Sequence, residues 1–172
     1  MTGLYIFLKY LTAPGALVRG MWEQTVCRAS KTVVEDNRYL RRDEMASHVE
    51  HELMGTARSA FAICFVPFFF NMLGALIFGI IPTLMLVYLQ FKGLFLGITC
   101  AVSYWFAFSL FCNAFPLVED AMNMMDKVYH NGNIFQKIFY SIGAVITYVG
   151  AYLEKYGITF LIAVIFTVAV AI

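Results

Sequence analysis

Long stretches without a charged residue are the feature that most constrains how this chain folds. Residues 59–91, 93–118, 138–153 and 156–172 contain no Asp, Glu, Lys or Arg. A helix needs roughly 20 apolar residues to cross the hydrocarbon core of a bilayer, and the first two stretches exceed that length. With 61% hydrophobic and 13% charged residues, the chain has too little polar surface to cover a soluble globule. We therefore expect an all-α, polytopic integral membrane protein.

The composition also argues against several other classes of protein. The aromatic-rich segments do not alternate apolar and polar residues, as the strands of a membrane β-barrel do. A formal net charge of +1 gives no electrostatic footprint for nucleic acid. The four cysteines, at positions 27, 64, 100 and 112, lie in or beside apolar runs and have no CxxC spacing. We interpret them as buried thiols rather than as metal ligands or disulfides.

The hydrophobic pattern predicts about four to five membrane helices in a single domain that spans residues 1–172. Pro67 and Pro82 interrupt the apolar stretch 59–91, so we expect its helix to break near Ile81-Pro82. The last segment is either two short legs or one long helix, because Glu154-Lys155 interrupts it. The predicted helices lie at 3–26, 59–80, 93–114 and within 134–172.

One polar loop, at residues 28–58, separates the first predicted helix from the second. It holds six Lys/Arg and six Asp/Glu, and no other loop holds more than two Lys/Arg. Because Lys and Arg set membrane orientation, we expect this loop on the cytoplasmic or matrix-like side. The pattern leaves open whether the membrane is a prokaryotic plasma membrane or an organellar inner membrane.

Small residues recur at helical spacing in two of the predicted helices. Such stripes let a second helix approach closely, so we expect them to be helix-packing faces. The first stripe has a spacing of four and the second a spacing of seven. Their members are Gly93, Gly97 and Ala101, and Gly143, Gly150 and Gly157.

Two short strings resemble zinc-binding motifs but are incomplete. His51-Glu52-Leu53-Met54-Gly55 begins like HExxH, yet Gly stands where the second His is needed. His48-Val49-Glu50-His51 is one residue short of the inverted motif HxxEH. Because neither string lies in an apolar helix, we interpret these histidines as solvated loop residues.

Three ionisable residues stand in or beside apolar segments, where a charge is costly and often functional. Arg19 and Glu23 lie four residues apart in the first predicted helix, hence on one face, and Asp120 follows the third. Taken alone, Arg19 and Glu23 need do no more than pair with each other or reach the membrane interface.

Several strings, taken in chain order, carry a resemblance to a known family. They run from Tyr10 to Val18, which includes Pro14-Gly15, and through Cys27-Arg28, Arg38-Tyr39-Leu40, His48 to Glu52, Pro67, Asn71, and Asn113 to Ala121. The ordered set resembles the small site-2-protease-like membrane zinc metalloproteases of bacteria and archaea. The similarity covers about residues 5–128, a protease-like core, and leaves a C-terminal helical segment at about 134–172.

This chain differs from that family at the residues that bind zinc. In the family, Pro-Gly leads into HExxH and a later Asp-Ala supplies the third zinc ligand. Here Arg19-Gly20-Met21-Trp22-Glu23 replaces HExxH, while Asp120-Ala121 is kept. The resemblance implies that Arg19, Glu23 and Asp120 occupy the three vestigial ligand positions. Zinc catalysis needs about three protein ligands and a site for water. We therefore expect no catalytic residues and no bound metal, and a salt-bridge staple in place of the ion.

Three functions are compatible with these observations. The first is an inactive, metalloprotease-like scaffold or accessory subunit, whose partners are the lipid bilayer and other subunits of a membrane complex. The second is an active intramembrane protease with zinc held by His48, His51, and Asp120 or Glu23. The third is a channel or transporter component in which Arg19, Glu23, Asp120 and His130 line an aqueous path.

Overall fold

The computed structural model describes residues 7–8, 10–36, 49–87 and 93–171, and these form a mostly helical structure. Helix α1 precedes a short β-hairpin, and five further helices follow it. A single π-helical turn, Lys127–Asn131, joins α4 to α5. The elements are α1 (Ala13–Ala29), β1 (Val34–Asp36), β2 (Glu50–His51), α2 (Ala57–Val87), α3 (Leu94–Cys112), α4 (Val118–Asp126), α5 (Ile134–Lys155) and α6 (Ile158–Ala171).

Three helices of the described residues are long and apolar enough to cross a membrane: α2, α3 and α5. The predicted number was about four to five. Helix α1 has 17 residues and includes Arg19 and Glu23, and α6 is apolar but has only 14 residues. The described residues therefore form a mostly helical protein with three membrane-length helices and one short β-hairpin.

Helix α2 does not break near Ile81-Pro82, so that prediction was wrong. It continues for 31 residues to Val87, a length of about 46 Å, with Pro67 and Pro82 inside it. Pro82 has no N–H to donate to the carbonyl of Phe78, four residues earlier. The Ser103 hydroxyl of α3 donates to that carbonyl instead, at 2.8 Å. A neighbouring helix thus satisfies the group that the proline leaves, as membrane helices require.

The apolar core lies in two clusters along α2. Near its N-terminal end, Cys64 packs with residues of α1, α4 and α5, including Met124 and Ala144. Further along, Ala75 packs with α3 and α6, including Leu110. Helix α2 is therefore the central element, and all the other helices contact it.

A buried hydrogen-bond network holds the start of α1 against α2 and α3. The amide of Gly15 donates to the Ser109 hydroxyl at 2.7 Å, and Ser109 donates to the Thr12 carbonyl at 2.8 Å. Asn71 Nδ2 donates to the carbonyls of Gly15 and Asn113, at 3.2 and 2.9 Å. Asn113 Nδ2 in turn donates to the Thr12 carbonyl at 3.0 Å. These five residues fix the position of α1, on which Arg19 and Glu23 stand.

The glycines of the two predicted packing stripes lie in different environments. A Cβ on Gly143 would come within 2.9 Å of the Phe61 and Phe65 rings, and one on Gly150 would overlap the Phe115 ring. Gly157 lies in the turn between α5 and α6 with a φ of 74°, which separates the C-terminal segment into two helices. In the first stripe, a Cβ on Gly93 or Gly97 would meet nothing within 4 Å, and Ala101 is exposed.

We predict that Gly15→Ala destabilises the fold, because an added Cβ would overlap the backbone carbonyl of Ser109. Overpacking of this kind costs at least about 2 kcal/mol of unfolding free energy. Gly97→Ala is the matched control, since its Cβ meets no atom within 4 Å and alanine favours a helix. Unfolding in mild detergent, titrated with SDS, measures both variants. Equal stability of the two would contradict this account of Gly15.

Candidate functional site

One face of α1 carries the first two residues of the site. Gly15, Arg19, Glu23 and Cys27 recur every four residues and all are buried. Arg19 is 3% exposed and Glu23 is 1% exposed. The ring of Trp22 stacks on Phe70 of α2 with centroids 3.9 Å apart, which helps to fix the rotation of α1. The helix therefore presents a cation and a carboxylate to the interior of the bundle.

Asp120 lies in the first turn of α4, the short helix after the Phe115-Pro116 segment. A carboxylate is favoured there because the first turn of a helix carries partial positive charge. Its side chain is 14% exposed. Helix α4 packs against α2 and α5, which brings Asp120 towards Glu23. The two carboxylates thus come from helices almost a hundred residues apart in sequence.

The third element is the hairpin, and it places His51 in the interior. Strand β2 pairs antiparallel with β1, and Val34 is opposite His51. Because β1 follows shortly after α1, this pairing returns His51 to the end of α1. Its side chain is only 3% exposed. The interpretation of His51 as a solvated loop residue was therefore wrong, while His48 lies outside the described residues.

These four side chains form a buried ionic centre, which we define as Arg19, Glu23, His51 and Asp120. Arg19 Nε lies 4.0 Å from Glu23 Oε2. His51 Nε2 lies 3.8 Å from Glu23 Oε1 and 3.7 Å from Asp120 Oδ1. Ligand atoms of Glu23, His51 and Asp120 all lie within 4.8 Å of one another. The predicted residues Arg19, Glu23 and Asp120 are thus neighbours, and His51 stands between the two carboxylates.

A hydrogen bond fixes how His51 faces the carboxylates. Its Nδ1 lies 3.0 Å from the carbonyl oxygen of Glu52. A carbonyl only accepts, so Nδ1 carries a proton and donates it. Nε2 is then the nitrogen that faces Glu23 and Asp120. The imidazole and the two carboxylates together can hold a proton or a metal ion.

The other candidate residues lie elsewhere. His130 is 77% exposed and pairs with Asp126 at 3.2 Å on the surface of the π-helical turn, away from the ionic centre. All four cysteines are buried thiols. Cys27 and Cys64 belong to the apolar cluster beside the centre. Within the described residues, the only histidine that joins the predicted ionisable residues is thus His51.

We predict that Arg19→Met lowers the free energy of unfolding by about 3–5 kcal/mol, because it leaves buried carboxylates without their permanent cation. Arg19→Met combined with Glu23→Gln removes both charges of the pair and recovers most of this loss. Arg28→Met is the control, since Arg28 is an exposed arginine of the same helix. SDS titration measures all three. An Arg19→Met variant as stable as the Arg28→Met variant would show that Arg19 does not neutralise the centre.

Comparison with known proteins assigns the chain to no family: no family model, no curated protein and no solved structure matches it. The resemblance to the site-2-protease-like enzymes therefore stays a prediction from the ordered motifs. What the chain does has to be inferred from the chemistry of the ionic centre and from the apolar helices around it.

Proposed function

We propose that this chain is a catalytically inactive, metalloprotease-like integral membrane protein that acts as a scaffold or accessory subunit of a larger membrane complex. The observation that carries the proposal is the position of Arg19. This buried guanidinium contacts Glu23 in the ionic centre, at the place where the resemblance puts the first metal ligand. Arginine keeps its charge in proteins and has no lone pair to offer a metal. At the position that corresponds to the first metal ligand in that family, this chain therefore has a permanent cation.

The position of Arg19 in the centre opposes a metal ion. A divalent cation held by Glu23, His51 and Asp120 would lie close to a guanidinium that keeps its charge, and like charges in an apolar interior repel each other strongly. Without an ion, the four residues bring α1, β2 and α4 together through contacts of 3.7 to 4.0 Å.

The apolar surface of the described helices supports a role in a membrane complex. Helices α2, α3 and α5 have the length and hydropathy of membrane spans. Gly97 and Ala101 face outwards from α3, and no part of the described chain covers Gly97. In lipid, small residues on an open helix face favour close packing with a second helix. A partner subunit with an apolar helix would fit this face.

A second candidate is an intramembrane zinc enzyme with unusual ligands, and the spacing within the centre favours it. The two contacts of His51 Nε2, at 3.7 and 3.8 Å, are longer than hydrogen bonds. Two ligands of a tetrahedral zinc ion lie about 3.4 Å apart, so these separations approach those of a ligand set. Glu23, His51 and Asp120 would be the three protein ligands, and water would take the fourth position. Arg19 would then lie next to the ion and oppose its binding.

Zinc content separates the two candidates. We expect the protein, purified without chelators, to contain no stoichiometric zinc by inductively coupled plasma mass spectrometry. Loading with zinc before the measurement and repeating it on His51→Ala identifies ions bound elsewhere. One zinc per chain that His51→Ala abolishes would overturn the proposal and establish the metal centre.

The scaffold role predicts a stoichiometric partner in the native membrane. We expect complexes extracted in mild detergent to show, by native mass spectrometry, this chain with a second membrane protein at fixed stoichiometry. Gly97→Leu should weaken that complex, since it blocks the open face of α3. Gly55→Leu is the matched control, because Gly55 also has open space around it but lies outside the helices. A chain that runs only as a monomer, with or without these substitutions, would contradict the role.

A further inference from the structure

A cavity of about 460 Å³ lies apart from the ionic centre, between the last turn of α1 and the first turn of α2. Its apolar wall consists of Val26, Ala29 and Ala62. Its polar wall consists of Ser30, Thr56, Arg58 and Ser59. Among the described residues, no acidic side chain lines it. One side of the cavity thus carries an arginine and three hydroxyl groups, and the other side carries short apolar side chains.

The position of the cavity along the sequence places it at a membrane boundary. Arg58 is the last charged residue before the charge-free stretch 59–91, which forms most of α2. Val26 and Ala29 lie at the other wall, where α1 ends and the polar segment 28–58 begins. If α2 crosses a bilayer, the cavity opens at the depth of the lipid headgroups.

The one charged residue on the described cavity wall, Arg58, favours an anion. Arg28, Lys31 and Arg58 form no ion pair within the described part of the chain, and Arg28 and Arg58 are exposed. Thr56 and Ser59 bond to each other at 2.9 Å, so the polar wall is held in place before any ligand binds. A guanidinium donates two parallel hydrogen bonds to a phosphate group, and few other side chains match that geometry.

We propose that this cavity binds a phosphate group, carried by the headgroup of an anionic phospholipid. Arg58 donates to the phosphate oxygens, and Val26, Ala29 and Ala62 contact the glycerol and the first methylene groups. A volume of about 460 Å³ accommodates a headgroup but not two acyl chains, which stay in the bilayer. The proposal shares with the proposed function only the insertion of the helices in a membrane and is independent of the ionic centre.

Lipid titration of the delipidated full chain, read by native mass spectrometry, tests the proposal. Phosphatidylglycerol and phosphatidylcholine with the same acyl chains are compared, and we expect the first to bind more tightly. Arg58→Gln should lower the affinity for phosphatidylglycerol at least about tenfold, because it removes charge-assisted hydrogen bonds. Arg28→Gln removes the same charge at the same boundary but not from the cavity wall, and it should retain the affinity.

A second variant tests the cavity without changing the charge. Ala29→Trp places a large side chain on the cavity wall at an exposed position, so the fold tolerates it, and it should also abolish the preference for phosphatidylglycerol. Inorganic phosphate and glycerol phosphate are added as competitors. If either soluble compound displaces the lipid with an affinity similar to that of the lipid itself, the site is assigned to free phosphate. No displacement assigns it to the lipid.

Two results would overturn the proposal. One is equal binding of the two lipids, and the other is an equal loss of affinity in Arg28→Gln and Arg58→Gln, which would show a diffuse charge effect. Extraction of the membranes at alkaline pH is done in parallel. Release of the chain from the membrane would contradict its insertion, and hence the proposed function as well. Retention of the chain without lipid preference contradicts only the site for an anionic phospholipid headgroup.

Discussion

The cost of a charge in an apolar interior is the constraint on which the rest of this structure depends. Glu23 and Asp120 are carboxylates in a bundle made largely of hydrocarbon, and each needs a cation or a hydrogen-bond donor close by. Arg19, one turn before Glu23, supplies a permanent charge from the same helix, and His51 supplies an imidazole from the hairpin. This contact helps to hold the hairpin to the helices. Strand β2 is therefore part of the folded core.

Close approach of backbones provides the geometry that this electrostatic arrangement needs. Gly15 allows α1 to touch α3 at Ser109, and Asn71 and Asn113 join the same network from α2 and from the end of α3. Because Arg19 follows Gly15 by one helical turn, the packing of one residue determines where the other points. In the C-terminal segment, Gly143 and Gly150 do the same for α5, against phenylalanine rings of α2 and of the α3–α4 connection. In both places a glycine, which has no side chain, allows its helix to approach its neighbour closely.

The sequence predicted the apolar helices and the shared face of Arg19 and Glu23, because charge-free length and helical spacing are local properties of the chain. The position of Asp120 near this pair was implied only by the resemblance to the protease family, since no local pattern links residues almost a hundred positions apart. It did not predict the continuity of α2 through Pro82, since that depends on a hydroxyl group of another helix at position 103. It also misplaced His51. A two-residue strand has almost no local pattern, and only its pairing with Val34 brings the imidazole to the end of α1. The β-branched residues Thr32, Val33 and Val34 are a weak local signal for β1, but nothing comparable marks β2.

The ionic centre draws one element each from the beginning of the chain, from the hairpin and from the helix after α3. Until all three have docked, at least one charged side chain faces hydrocarbon without its counterpart. A misassembled molecule therefore pays a solvation penalty that the correctly assembled one avoids, whether or not its apolar helices have packed. The centre thus favours the complete tertiary structure over alternatives whose helices are buried equally well. Apolar contacts alone distinguish such alternatives only weakly in a lipid environment.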